Sequence, residues 1–379
     1  AVGVEVVHGV DQADGTFAVI GPLVTNAENM TGTWSVAADF EKSVPLVEGI
    51  KNVVGDQVNL LHAKGANIYQ DPALEAKVSI FGKPTNRDAR SPEMMREEAL
   101  EIARQSDVII AALGEAAEMS GESSSRSDIG IQEVQMELLK ALQETGKPVV
   151  LVLFTGRPLA IPWAAENVPA ILNAWFPGTE AGNAIAEVLF GEVNPSGKLT
   201  TTFPRNVGQV PIYYAAKSTG RPQEGDEFQK FRSNYLDVPN SPLYPFGYGL
   251  SYSTFEYSDV SLSASQATGN ETITASVQVT NTSDRAGKEV VQMYIHDVVA
   301  SNTRPNLELK AFEKVMIEPG ETVTVSFPIT TEMLKYYQYD PETGYRDIIN
   351  VWEPGEFEIM IGSSSADWQK AALQWNEEE

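Results

Sequence analysis

The chain has 379 residues, no cysteine and three histidines, and its 27 Lys plus Arg face 52 Asp plus Glu, for a formal net charge of -25. That length exceeds the usual domain size of about 100–200 residues, so two domains with separate cores are expected. The missing cysteines exclude a disulfide framework, a thiolate zinc site and a cysteine nucleophile, and so acidic a chain repels nucleic-acid phosphates and anionic membrane surfaces.

Residues 1–15 (AVGVEVVHGVDQADG) alternate weakly and end in turn residues, and they are set apart as a leader or linker remnant. From Thr16 strands and helices alternate. The run Phe17 to Ile20 reads as a buried strand that ends at Gly21-Pro22. Ser91-Pro92 supplies an N-cap and a first helical residue, and Met95, Ala99, Ile102 and Ala103 then share one helical face. Asp107 to Leu113 follows as a strand. Val134, Leu138 and Leu142 form the next helical stripe, closed by Gly146-Lys-Pro148 before the strand Val149 to Phe154. Ala170 to Phe176 reads as a further strand and Glu180 to Phe190 as a helix. Apolar strands separated by amphipathic helices predict an α/β domain over residues 16–205, with a mostly parallel sheet covered on both faces.

Residues 206–255 mix Pro, Gly, Tyr and charge without a sustained period, and their aromatics predict an ordered connector that packs on something. Beyond it, Ile273, Ala275, Val277 and Val279, then Val290 to Ile295, then Val323, Val325 and Phe327 mark strands separated by turn clusters such as Pro319-Gly320. This predicts an antiparallel β-sandwich over residues 256–379.

Ligands of such a parallel sheet sit at the carboxyl ends of its strands, which is where GEAAEMSGESSSRSD follows the strand Asp107 to Leu113. Carboxylates brought together in that loop (Glu115, Glu118, Glu122, Asp128) raise one another's proton affinity and suit one of them to general acid work, whereas a solvated acidic loop needs no such role. Arg126 either pairs with Asp128 or a neighbouring Glu to fix the loop, or contacts a ligand directly. Trp34, in TGTWS after the first strand, either stacks on a sugar face or packs in a core or between domains. His8, His62 and His296 are widely spaced, which argues against a histidine metal site. No Walker-type Lys, dinucleotide fingerprint or G-x-S-x-G elbow is present.

The stretches AVIGPL with GTWS, SDVIIAALGE, SGESSSRSD, GKPVVLVLFTGRPL, WFPGTEAGNAIAEVLFGEVNPSGKL, LYPFGYGLSY and ELKAFEKV with EPGE resemble, in that order, glycoside hydrolase family 3. The likeness is to its bacterial periplasmic β-glucosidases. It implies a flavodoxin-like α/β sandwich with a mostly parallel sheet, followed by a fibronectin type III-like antiparallel β-sandwich. It also implies a retaining mechanism in which an Asp nucleophile lies on a preceding (β/α)8 barrel and the α/β sandwich supplies a Glu general acid/base.

Glu122 matches that Glu, and Trp34 resembles the aromatic at the entrance to the sugar site. Arg126 and Asp128, from the same motif, are the further substrate-binding residues expected. Nothing here resembles the Ser-Asp-Trp segment of the nucleophile; Asp367-Trp368 follows Ala366 and lies in the last strands of the β-sandwich.

The expectation is therefore the C-terminal portion of a β-glucosidase, acting on β-linked oligosaccharides or glucosides, periplasmic or secreted, without metal or organic cofactor. Its partner is a barrel carrying the nucleophile, and it is inactive alone. The alternative is a non-catalytic carbohydrate-binding or scaffolding module.

Overall fold

The computed structural model describes residues 15–78, 85–223 and 225–378. Of the predicted leader, only Gly15 falls within them. Two compact units are formed. The first holds the described residues up to Val193 together with Pro204–Val210, and the second holds Asn194–Phe203 with Pro211 onward.

The strands of the first unit are β1 (Thr16–Ile20), β2 (Asn59–Ala63), β3 (Val108–Gly114), β4 (Val149–Phe154) and β5 (Ala170–Asn173). They pair in parallel in the order β2-β1-β3-β4-β5, the doubly wound flavodoxin-like arrangement. Its helices are α1 (Leu46–Val54), α2 (Pro72–Lys77), α3 (Pro92–Gln105), α4 (Glu133–Gln143), α5 (Pro162–Asn167) and α6 (Ala181–Leu189).

Every residue of β3 and β4 is buried, which is why these strands read as continuous apolar runs instead of alternating. Phe17, Val19, Ile110 and Val152 form one core with Leu46 and Ile50 of α1 and Ile185 and Leu189 of α6. Alternate residues such as Ile109 and Leu151 are equally buried and face the other way. Met95, Ala99 and Ala103 of α3 and Leu138 and Leu142 of α4 are the buried helical residues for that layer. Ser91 caps α3 as its sequence predicts, its hydroxyl accepting from the Met94 amide at 3.3 Å.

Helices α1 and α6 touch through glycines. A Cβ on Gly49 would lie 1.9 Å from the carbonyl carbon of Gly182, and one on Gly182 would lie 2.2 Å from the Pro45 carbonyl oxygen. Backbone meets backbone here, so neither neighbour has a side chain that can turn away. Gly182→Ala is expected to cost about 1–3 kcal/mol by forcing the helices apart. Calorimetry of the first unit checks this, and an unchanged unfolding midpoint would refute the tight crossing.

The strand predicted over Ala170 to Phe176 stops at Asn173. Trp175 takes a left-handed conformation, φ +56°, which no strand tolerates, so the chain turns there despite its apolar composition.

In the second unit, β6 (Phe255–Tyr257), β7 (Ser261–Leu262), β8 (Gln266–Thr268), β9 (Ile273–Asn281), β10 (Gly287–Asp297), β11 (Glu308–Ile317), β12 (Thr322–Ile329), β13 (Tyr336–Tyr339), β14 (Ile348–Val351), β15 (Gly355–Ser364) and β16 (Asp367–Asn376) build a sandwich. One sheet runs β11-β10-β15-β16-β8, the other β12-β9-β6 with β7 also on β9, and β13-β14 forms a separate ribbon. Pairing is antiparallel except between β16 and β8. Val277, Val279, Met293, Phe327, Ile359 and Trp375 meet in its core.

On β10 the alternation fails because the outer face is covered as well. Tyr294 is fully buried there, edge-on to Tyr214 at 5.9 Å, and Tyr214 stacks on Phe246 at 4.4 Å. Gln292 donates to the carbonyls of Gly247 (3.2 Å) and Ser363 (2.6 Å). These contacts are where aromatics of the predicted connector pack.

Candidate functional site

The winding of the first sheet reverses between neighbours β1 and β3, and a crevice outside their carboxyl ends is where such a fold receives ligands. Strand β1 runs out into the loop that carries Trp34, and β3 runs out into the loop that carries Glu122.

The exit from β3 requires glycine. Gly114 has φ +138°, and a Cβ there would lie 1.8 Å from the Phe154 carbonyl oxygen of β4. Gln135 of α4, fully buried, holds the same residue from the other side. Its Oε1 accepts from the Gly114 amide at 2.8 Å, and its Nε2 donates to the carbonyls of Gly114 (2.8 Å) and Ile68 (2.6 Å).

Glu115 follows directly and is 1% exposed. Its carboxylate accepts from Arg126 Nη1 at 2.8 Å and from Thr155 Oγ1 at 2.8 Å, with Arg157 Nε 3.1 Å away. A buried carboxylate is tolerable only when paired and hydrogen-bonded in this way. The predicted carboxylate cluster thus divides. Glu115 is buried against two arginines, Glu118 is also buried, and Glu122 stands exposed at the tip of the loop. Asp128 accepts from the Gly130 amide at 2.8 Å, fixing a turn.

Arg126 forms an ion pair with a neighbouring glutamate of the loop, Glu115. Its second terminal nitrogen donates to the Gly130 carbonyl at 2.9 Å, so the guanidinium braces the base of the loop.

The tip beside Glu122 is strained: Ser123 has φ +59°. Non-glycine residues hold such angles at a cost of about 1–3 kcal/mol, and only where the surroundings impose them. The Ser124 hydroxyl lies within reach of the carbonyls of Glu118 (3.2 Å) and Glu122 (3.3 Å). Thr33 ties this loop to the one from β1, its hydroxyl donating to the carbonyls of Ala117 and Ser120, the latter at 2.7 Å. The buried Asn29 accepts from the Ala117 amide at 2.7 Å.

Because Thr33 precedes Trp34, the structure brings the Trp34 and Glu122 loops together. Trp34 is 71% exposed, which places its indole in solvent instead of a core.

On the same edge, Lys64 follows β2 and donates to the Asn86 carbonyl, and burial draws its ammonium below the ordinary value. Asp88 nearby is held down to about 2 by its hydrogen bonds with Arg90.

Sequence reasoning assigned no role to Gln135, Thr33, Thr155 or Arg157. Each acts on a segment at least 20 residues away, beyond the reach of local pattern. Asp367, by contrast, lies on β16 in the other unit and accepts from Ser363 Oγ at 2.5 Å across a turn. Among the described residues, no group of three His, Cys, Asp or Glu is placed to hold a metal ion, and no helix is long and apolar enough to cross a membrane.

Residues 11–252 match the profile of the Glycosyl hydrolase family 3 C-terminal domain, and residues 289–365 that of a Fibronectin type III-like domain. A periplasmic β-glucosidase of Salmonella typhimurium is 48% identical over 95% of this chain and 46% of its own length. A β-xylosidase of Formosa agariphila is 39% identical over 92% and 44% respectively. The crystal structure of a β-glucosidase from Listeria innocua in complex with isofagomine superposes with a TM-score of 0.82 at 37% identity, covering 96% of this chain and 46% of that one. The chain spans about half the length of these relatives.

Proposed function

The chain belongs to glycoside hydrolase family 3, and from that premise we propose that it is the C-terminal portion of a retaining β-glucosidase that hydrolyses terminal non-reducing β-D-glucosyl residues. Glu122 is its general acid/base, and the Asp nucleophile lies on a (β/α)8 barrel domain. The observation that supports this most directly is the exposed carboxylate of Glu122, presented by a strained and braced loop at the crevice of the sheet.

Retaining hydrolysis needs two carboxyl groups about 5–5.5 Å apart on either side of the glycosidic bond. Within the loop, Glu115 and Glu118 are buried. On this reading the second group is the Asp of the barrel domain. Glu122 gives its proton to the departing glycosidic oxygen as the nucleophile bonds to the anomeric carbon. Left as a carboxylate, it then takes a proton from the attacking water, whose oxygen displaces the ester and so regenerates both the acid and the nucleophile.

Trp34 stacks on the sugar beside the cleaved bond, and Arg126 and Asp128, which also hold the loop, contribute to binding the substrate. A periplasmic or secreted location follows the Salmonella relative.

The test is to combine this chain with a barrel half. Hydrolysis of an aryl β-glucoside is expected from the mixture and from neither part alone. If Glu122→Gln leaves the restored activity unchanged, the assignment is wrong. Glycan binding by the chain without any restored activity supports the carbohydrate-binding reading instead.

A further inference from the structure

We propose that Arg157 is the positioning residue for Glu122, gripping both ends of the segment that presents the catalytic carboxylate. This rests on the proposed role of Glu122. Arg157 sits just beyond β4, and one guanidinium nitrogen, Nη2, donates to two backbone carbonyls of the other loop, those of Met119 and Ser124, the latter at 2.7 Å. Those carbonyls flank residues 120–123, which include Glu122 at the tip and the strained Ser123.

The arginine is itself immobilised. Its side chain is 18% exposed, its Nε lies 3.1 Å from Glu115 Oε1, and its own amide donates to Thr155 Oγ1 at 3.1 Å. Thr155 in turn donates to Glu115. The chain of contacts therefore runs from the end of β4, through a buried carboxylate, to both feet of the Glu122 segment.

A loop carbonyl left to water exchanges partners freely. Two carbonyls held by one planar cation are fixed relative to each other. Ser123 keeps its left-handed angle under that constraint, and the angle decides where the Glu122 side chain leaves the backbone. Arg126 brings no such control, because it is bonded to Glu115 and to Gly130, beyond the far end of the loop. Removing Arg157 still leaves Glu115 paired with Arg126 and Thr155, so the buried carboxylate remains compensated and the unit is expected to fold.

Two measurements separate this inference from the reading beneath it. In the chain alone, Arg157→Met is expected to raise hydrogen exchange at the amides of residues 119–124 while leaving β1, β3 and β4 protected, with Arg157→Lys in between. Unchanged exchange in the loop overturns the inference whatever Glu122 does.

In the enzyme completed by a barrel, a displacement of about 1 Å is worth up to about 100-fold. Arg157→Met is therefore expected to lower kcat/KM for an alkyl glucoside about 10- to 100-fold, with little change for a dinitrophenyl glucoside and no further loss in a Glu122→Gln background. Equal losses on both substrates, or losses that add to those of Glu122→Gln, overturn the positioning role. Should Glu122→Gln itself show no dependence on the leaving group, the proposed function fails, while the exchange experiment still decides whether Arg157 holds the loop.

Discussion

Glu122→Gln is expected to lower kcat/KM of the completed enzyme for an alkyl β-glucoside by about 100- to 10,000-fold, the usual contribution of a positioned proton donor. For a dinitrophenyl glucoside, kcat/KM stays within a few-fold, because that phenolate departs without a proton. Its kcat falls nonetheless. On the proposed mechanism the same residue acts as base in the second step, so the glycosyl enzyme is expected to accumulate and KM to fall with kcat.

Added azide, a nucleophile that needs no base, then restores kcat and yields the β-glycosyl azide. Comparing the two leaving groups with and without azide checks each part. A uniform loss across leaving groups would mean that Glu122 serves the fold instead of the chemistry.

Glu115→Ala is expected to destabilise the first unit by about 3–5 kcal/mol, the cost of removing one member of a buried ion pair. Two guanidiniums, 12% and 18% exposed, lose their shared anion, and arginine does not escape by deprotonating. Thr155 loses an acceptor as well. Glu115→Gln keeps the size and one acceptor oxygen, so it falls between Ala and the parent. Denaturant unfolding of the three proteins gives the order. If Glu115→Ala unfolds at the parent's denaturant concentration, the buried pair contributes nothing to stability.

These two glutamates also show where sequence reading stops. Strands β1, β3 and β4 were legible because burial on both faces demands uninterrupted apolar residues, and helix α3 because Ser91-Pro92 announces its start. In GEAAEMSGESSSRSD, however, Glu115, Glu118 and Glu122 are the same residue type in one polar string. What separates them is tertiary. The Gly114 exit places Glu115 against Arg126 and Arg157, whereas Glu122 falls at the tip.

Motif resemblance singled out Glu122 without that geometry. It passed over Arg157 although TGRPL was among the matching stretches, because the role of Arg157 exists only once β4 lies beside β3. The end of β5 was misjudged for a related reason: the Ala174-Trp175-Phe176 run is apolar enough to extend a strand, and its left-handed turn leaves no mark in composition.

The division into units bears on biosynthesis. Asn194–Phe203 belongs to the second unit, yet Pro204–Val210 returns to the first before the chain leaves it for good. As the polypeptide emerges from the ribosome, the parallel sheet is complete at Asn173, but its unit still awaits a segment that follows a piece of the other. Neither unit is therefore a single continuous stretch of chain, and no single proteolytic cut releases either one whole.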